Sequence, residues 1–452
     1  MRRREALTLG VAALLCATSC RRADEHASLP RVRISVNGVE GGKGSTGITW
    51  LNAIAPGIEK TLEAAGTPVR IEVVGDGGSD ESFKSRLVLD LSAGTGADIM
   101  SFDAIWTAEA ASADLLEPLD PLVRTWGDWA QYPDSMRRMG DYRGRVFMVP
   151  LLTDVRGIYY RKDLFERAGL PREWTPRSWS DIYAAGERLK ALPDVIPIQW
   201  NGGSAFGEAS TMQGFYLVLL SAGGDLYDTT SNRWIADSPA LRRTLAFYRT
   251  IYLERRLGDV ALQLDPKGRD RSFERFRDGR IGIYPEGTYM WIDVLKPGGP
   301  WGLANRDAVV GWAPMPGGGE AGDPPLVSIS GGGGFIVNKR SPHKALAWRV
   351  LAAMNSAASL DALMCKAPFI AARRDVLDSP AFKTDPELTR EVAAALPVTR
   401  FRPGFPLYPR VSELVGVMTD QILNGASTDE ALSAYGRALR DLAGSEQVID
   451  VR

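Results

Sequence analysis

The first ordered stretch of the chain alternates between two hydrophobic periods, and that alternation narrows the fold more than any single motif does. Val32, Ile34 and Val36 repeat at every second position, the period of a strand. Ile48, Leu51, Ala55, Ile58 and Leu62 then repeat at helical spacing, with Pro56 expected to kink this helix or delay its start. Val69, Ile71 and Val73 return to strand, Phe83, Leu87 and Leu91 to helix as far as the turn Gly94-Thr95-Gly96, and Asp98-Ile99-Met100 to strand. Strand, helix, strand, helix, strand in that order implies a parallel sheet with right-handed crossovers. At 452 residues the chain exceeds one compact core, so two lobes are the default.

Pro150 marks a change of segment. Ile158-Tyr159-Tyr160 predicts a short strand leading into a helix over 162–168. Ser178 and Asp181 can cap a helix whose apolar face is Ile182, Ala185, Leu189 and Leu192. The run from Phe215 to Ala222 is apolar on most sides, and 241–252 is amphipathic. Ile281 with Ile283, Val309-Val310 and Phe335-Ile336-Val337 predict further strands, with a Gly/Pro loop over 317–325. Ser341-Pro342 sits in the cap and first-turn positions of a helix with inner stripe Ala347, Val350, Leu351 and Met354. Two last helices follow, on Val411, Leu414, Val415, Met418 and Ile422, then on Leu432, Tyr435, Leu439 and Leu442. No internal repeat is present.

Arg2, Arg3 and Arg4, an apolar stretch from Leu7 to Leu15, and Ala17-Thr18-Ser19 before Cys20 form a secretory signal ending in a lipobox. Residues 1–19 are therefore expected to be removed, Cys20 to carry lipid, and 20–31 to act as a tether. The apolar stretch is too short for a permanent span. Arg3-Arg4 also fits a twin-arginine export signal. Lys plus Arg number 54 against 55 acids, so charge offers no case for nucleic acid or an anionic surface. With Cys16 in the signal and Cys20 lipidated, Cys365 stands alone and no internal disulfide can form. Only His26 and His343 are present, which argues against histidine-based zinc sites and Ser-His-Asp chemistry.

Gly42-Lys43-Gly44-Ser45-Thr46-Gly47 is a literal G-x-G-x-x-G between a strand and a helix, the arrangement that brings a pyrophosphate onto a helix N-terminus. The acid such a fold needs at the end of the next strand would be Glu72, on an unusually long unit. The plainer reading is a flexible glycine loop, in which Glu40, Lys43 and Ser45 lie where open sheets bind ligands.

Several blocks in fixed order resemble one family. Ser92-Ala93-Gly94-Thr95-Gly96-Ala97-Asp98-Ile99, followed by Leu115-Leu116-Glu117-Pro118-Leu119-Asp120, is similar to a G-x-x-P-D … G-x-L-x-P-L block, with Ala97 in place of proline and Asp114 in place of glycine. Arg143-Gly144-Arg145-Val146-Phe147-Met148-Val149-Pro150 resembles G-K-x-Y-x-x-P. Tyr159-Tyr160-Arg161-Lys162-Asp163-Leu164-Phe165, with Ala168-Gly169-Leu170, Thr175 and Trp179, resembles Y-Y-N-K-D-L-F … A-G-L … P-x-T-W. Phe276-Arg277-Asp278-Gly279-Arg280-Ile281-Gly282-Ile283 and Gly311-Trp312-Ala313-Pro314-Met315-Pro316 complete the set. The family is that of the extracellular solute-binding proteins of sugar ABC importers, maltose-binding-protein-like lipoproteins. The resemblance implies an α/β, two-lobed type II periplasmic binding fold. The amino lobe would take 32–149 and 313–365, and the carboxyl lobe 150–312 and 366–452. It further implies no catalysis, no cofactor or metal, a carbohydrate ligand, ABC permease subunits as partners, a monomeric state and a lipid-anchored or periplasmic location. An exported NAD(P)-dependent sugar oxidoreductase using the Gly42 loop is the rival, and a glycoside hydrolase using Asp103 and Asp154 a weaker one.

A sugar offers apolar C–H faces and a rim of hydroxyls, so its site needs flat aromatics with acids, amides and Arg at the edges. The resemblance puts Phe102, Asp103 and Trp106 at ligand, with Asp103 equally able to cap the next turn. Asp154 and Arg156 follow the first crossing, where they could instead pair with each other. Trp200 and Asn201 precede Gly202-Gly203, with core packing as the alternative for Trp200. Glu286 and Tyr289 occupy a segment whose aromatic enters the cleft in relatives. Gly331 and Gly332 would turn backbone amides to ligand. Arg373 would supply a polar contact, and Tyr408 a stacking ring or a loop-packing residue.

Overall fold

The computed structural model describes residues 29–38, 44–76, 80–299, 301–365, 370–378, 380 and 394–451. Cys20, Glu40, Lys43 and Gly42 lie outside these residues, as do the signal and most of the tether.

Arg31–Val36 pairs in parallel with both Arg70–Gly75 and Ile99–Asp103, as the alternating pattern predicts. They are half of a six-stranded sheet with spatial order Ile370–Ala371, Met148–Thr153, Gly332–Val337, Ile99–Asp103, Arg31–Val36, Arg70–Gly75. Gly332–Val337 runs antiparallel between two neighbours, so the sheet is mixed. Val32, Ile34 and Ile99 are fully or almost fully buried, beneath the helices Ser45–Ala64 and Asp80–Ala93. The first of these helices starts well before Pro56 and runs through it, so the expected delay does not occur.

A second sheet has the order Val310–Ala313, Arg156–Arg161, Ile281–Gly287, Ile196–Ile198. Arg156–Arg161 and Ile281–Gly287 are buried along their whole length, covered by helices that include Trp179–Leu189 and Glu208–Ser221. A smaller sheet joins Met315–Pro316, Leu326–Ser330 and Thr399–Phe401.

The strand memberships move the expected lobe boundaries. Met148–Thr153 stays in the first sheet past Pro150, and the chain enters the second at Arg156. Of residues 313–330, expected in the amino lobe, Ala313 pairs in the second sheet and Met315–Pro316 and Leu326–Ser330 in the smaller sheet beside it; the return to the first begins at Gly332. Ile370–Ala371, expected in the carboxyl lobe, bonds onto Met148–Thr153 in the first sheet. Among the described residues the chain passes between the sheets at 154–155 and at Gly331, and Ile370–Ala371 and Thr399–Phe401 lie on different sheets.

Two predicted caps differ. Ser178 makes no side-chain cap bond; Asp181 accepts from the Arg177 N–H at 2.8 Å instead. The helix expected from Ser341 starts at Lys344; the Ser341 hydroxyl donates to the buried Asp98 carboxylate at 2.5 Å and accepts from the His343 N–H at 2.9 Å, a turn ahead of the helix instead of its cap. Sequence reading also missed Arg233–Asp237 and Val448–Asp450, a parallel pair at the C-terminal end. Among the described residues no helix is long and apolar enough to cross a membrane.

Candidate functional site

Where the first sheet faces the second, the strand ends and the crossing at Asp154 line a cavity of about 350 Å³. Phe102, Asp103 and Trp106 line it at the end of the third parallel strand, where an open sheet presents ligands. Phe102 and Trp106 meet edge to face at 5.6 Å. Asp103 does double duty: its carboxylate accepts from the Ile105 N–H at 3.2 Å, capping the turn, and its Oδ1 lies 3.9 Å from Arg402 Nη2. That contact spans the cleft.

Asp154 and Arg156 line the cavity at the first crossing and pair with each other, the Arg156 Nη1 donating to Asp154 Oδ1. The same carboxylate oxygen accepts from the Gly331 N–H at 2.6 Å, so that amide is not turned to ligand as expected. Gly331 matters for a different reason. A Cβ there would stand 2.7 Å from Arg156 Nη2 and 3.2 Å from Arg402 Nη2, so a side chain at this position would push the Arg156 guanidinium aside. Gly332 lines the cavity with φ at 130°, a backbone region that favours glycine.

Burial, followed by the neighbouring Asp154 and Arg402 with opposite effects, leaves the Arg156 guanidinium below its usual range. For Arg402 burial also opposes the charge, but Glu208, Tyr408, Asp103 and Asp154 outweigh it and hold the group above its usual range. Arg402 Nη1 donates to both Glu208 oxygens at 2.9 Å, and Tyr408 donates its hydroxyl to Glu208 Oε1 at 2.7 Å. Tyr408 is therefore a fully buried support behind Arg402, not a stacking platform.

Tyr289 lines the cavity and joins a second network. Its hydroxyl reaches Gln213 Oε1 at 2.9 Å and Glu286 Oε2, and accepts from Arg269 Nη2 at 3.1 Å. Glu286 is wholly buried beneath it; burial pushes its carboxyl up, against the pull of Arg269 and Arg156. Asn201 is buried behind Glu286, donating to the Pro285 carbonyl at 3.2 Å, and does not line the cavity.

Three expected contacts sit elsewhere. Trp200 is core: its indole N–H donates to the Gly214 carbonyl at 3.1 Å and its ring meets Phe247 at 4.9 Å. Arg373 lies behind the first sheet, tied to Asp128, Asp375 and the Asn355 carbonyl. Ser45 opens its helix half-buried and does not line the cavity, although Gly44 and Gly47 do. Glu72, the acid a dinucleotide site would need, pairs with Arg31 at 3.3 Å on an exposed edge away from the cavity.

Sequence reading missed Arg402, Gln213, Arg269 and Trp50, all on the cavity wall. Gln213 carried a usable signal, as a lone amide in a helix otherwise buried among Met212, Phe215 and Leu217. Arg269 stands among several arginines of Gly268–Arg277 and nothing in the sequence singles it out. A further cavity of about 290 Å³ adjoins the first, sharing Asp103, Trp106 and Ala209.

The pattern of the bacterial extracellular solute-binding proteins matches residues 45–360. A putative binding protein of Brucella abortus (strain 2308) is 21% identical over 364 residues, 79% of this chain and 82% of that protein. Among solved structures, an ABC transporter solute-binding protein of Thermotoga lettingae TMO bound with alpha-D-tagatose has a TM-score of 0.78 at 21% identity, covering 92% of this chain and 100% of that one. The GacH receptor of Streptomyces glaucescens, solved unliganded and with acarbose, has a TM-score of 0.77 at 21% identity, covering 92% and 99%.

Proposed function

The chain belongs to the bacterial extracellular solute-binding proteins, and from that premise we propose that it is the capture component of an ABC importer for a sugar or short oligosaccharide. The observation that carries the reading is the cleft itself. Aromatic and aliphatic carbon, chiefly from the first sheet and its helices, faces guanidinium, amide and phenol groups from the other side across a space of about 350 Å³, with the Asp103 carboxylate of the first sheet and Asp154 of the crossing beside them. Such a pairing suits a molecule with C–H faces and a hydroxyl rim. The two structures of the same fold hold tagatose and acarbose, which favours the same ligand class here.

In this reading the two halves close over the ligand by hinge motion at the crossings, because contacts to both halves exist only in the closed state. The closed form is presented to the permease, and no bond in the ligand is changed. Cys20 carries the lipid that tethers the monomeric body at the outer face of the cytoplasmic membrane or in the periplasm.

Thermal shift and calorimetry across monosaccharides, short oligosaccharides and NAD(P) test it. At least one saccharide should raise the melting temperature, and both Asp103→Ala and Gln213→Ala should weaken its binding at least tenfold, about 1.4 kcal/mol. Stabilisation by NAD(P) with reduction of the cofactor in the presence of a sugar would establish the oxidoreductase instead.

A further inference from the structure

The two walls of the cavity differ in chemistry: carbon dominates the side of the first sheet, and the guanidinium, amide and phenol groups lie on the facing side. The first sheet and its helices contribute an apolar patch of Val36, Trp50, Leu51, Leu151, Phe335 and Leu363, with Asn37, Ser101 and Asp103 as the polar residues of that side. The facing side contributes Arg156, Gln213, Arg269, Tyr289 and Arg402. The donor of Trp50 is already occupied, its indole N–H reaching the Ser359 carbonyl at 2.7 Å, so the ring offers only carbon to the cavity. Valine and leucine have neither a π-face for stacking nor a group to accept a hydroxyl proton. A sugar hydroxyl turned toward Leu51, Leu151 or Leu363 would lose its water and gain no partner. A free sugar, which carries hydroxyls around its whole rim, therefore fills only the polar part of this space.

The polar wall also speaks to charge. Arg156 is matched by Asp154, Arg402 by Glu208 and Asp103, and Arg269 lies 4.0 Å from Glu286. With each guanidinium facing a carboxyl group, an anionic ligand would meet as much repulsion as attraction, whereas an uncharged one meets neither.

We infer that the ligand is an uncharged glycoside, its sugar ring against the Arg156–Arg402 wall and an apolar aglycone against Trp50, Leu51, Leu151 and Leu363. This names the substrate class within the sugar-capture reading and rests on it. The volume, about 350 Å³, lies within the ~300–1,000 Å³ that pockets for molecules of this size occupy.

Calorimetry on the full chain with paired 4-nitrophenyl and methyl glycosides of the same hexoses is the test. The nitrophenyl member of the best pair should bind at least about tenfold more tightly, the scale expected for burying an aromatic group. It should also quench tryptophan emission, since Trp50 and Trp106 line the space. Leu151→Asn should collapse the ratio of the two affinities toward one. If that variant does not fold, the wild-type ratio decides alone. Equal affinities within each pair, or tighter methyl glycosides, overturn the aglycone pocket and leave sugar capture standing. Failure of both series to bind overturns both.

Discussion

Arg402 carries more of the cleft than its place in the sequence suggests. Its side chain is 2% exposed, and the partner Glu208 is 12% exposed, so the pair is held out of water. Removing the guanidinium takes two hydrogen bonds from that carboxylate, which keeps the Tyr408 hydroxyl at 2.7 Å, and opens space beside Gly331. Arg402→Ala should therefore lower stability by about 3–5 kcal/mol in chemical denaturation, the cost of leaving a buried charge without its counter-ion. Tyr408→Phe, which removes one hydrogen bond to a charged group, should cost only about 1.5–3 kcal/mol. A smaller loss for Arg402→Ala than for Tyr408→Phe would place the weight of the network elsewhere. Glu286 gives a pH signature. Burial raises its folded pKa above the ordinary 4.5, so between the two values the folded chain holds a proton that the unfolded chain has released. Its contribution is fully present below pH 4.5 and is lost as the pH rises through the folded value. Glu286→Gln should flatten that decline in a plot of stability against pH; an unchanged slope would mean that other groups cause it. None of this was legible in the sequence, because Arg402, Glu208 and Asp103 are far apart along the chain and only the fold makes them neighbours. Asp103 and Asp154 could be picked out because one ends a strand and the other directly follows one.

At the scale of elements, periodicity did most of the work and local competition explains its failures. The parallel strands and the helices between them were readable because each has one apolar face against one sheet. Thr399–Phe401 and Val448–Asp450 were not, since three residues carry too little pattern and owe their extension to a neighbour. Ser341-Pro342 has the pattern of a helix cap, but the Ser341 hydroxyl ties Asp98 to the His343 N–H in a turn, and the helix starts later. The opposite case is the last helix, Thr428–Ala443, where local and tertiary demands agree. Ser427 accepts from the Glu430 N–H at 3.2 Å while Glu430 accepts from the Ser427 N–H at 2.9 Å. Its inner face, Ala431, Leu432, Tyr435 and Leu439, is buried. Ser427→Ala should cost about 1 kcal/mol, seen as a lower denaturant midpoint at unchanged slope. A changed slope would mean that losing the cap frays the helix in the native state.

For the whole molecule the decisive property is that the cavity is built by both sheets, which are connected by the crossings. Trp50, Phe102 and Phe335 come from one side, Gln213, Tyr289 and Arg402 from the other, and Asp103 with Arg402 makes a direct polar contact between them at 3.9 Å. A ligand held only by one half would stabilise that half, and heating would move one melting step while leaving the other in place. A ligand gripped by both is released only when either half unfolds, so its binding energy is lost in whichever transition comes first. Binding at a hundred times the dissociation constant adds about 2.7 kcal/mol to the state that holds it. Differential scanning calorimetry with saturating ligand should accordingly raise the first transition and draw it toward the second until the two merge. Asp103→Ala should reduce that shift in proportion to the affinity it loses. A ligand that raises only the later transition, with the earlier one fixed, would mean that half of the cleft stands empty of contacts. The hinge would then have no differential affinity with which to close.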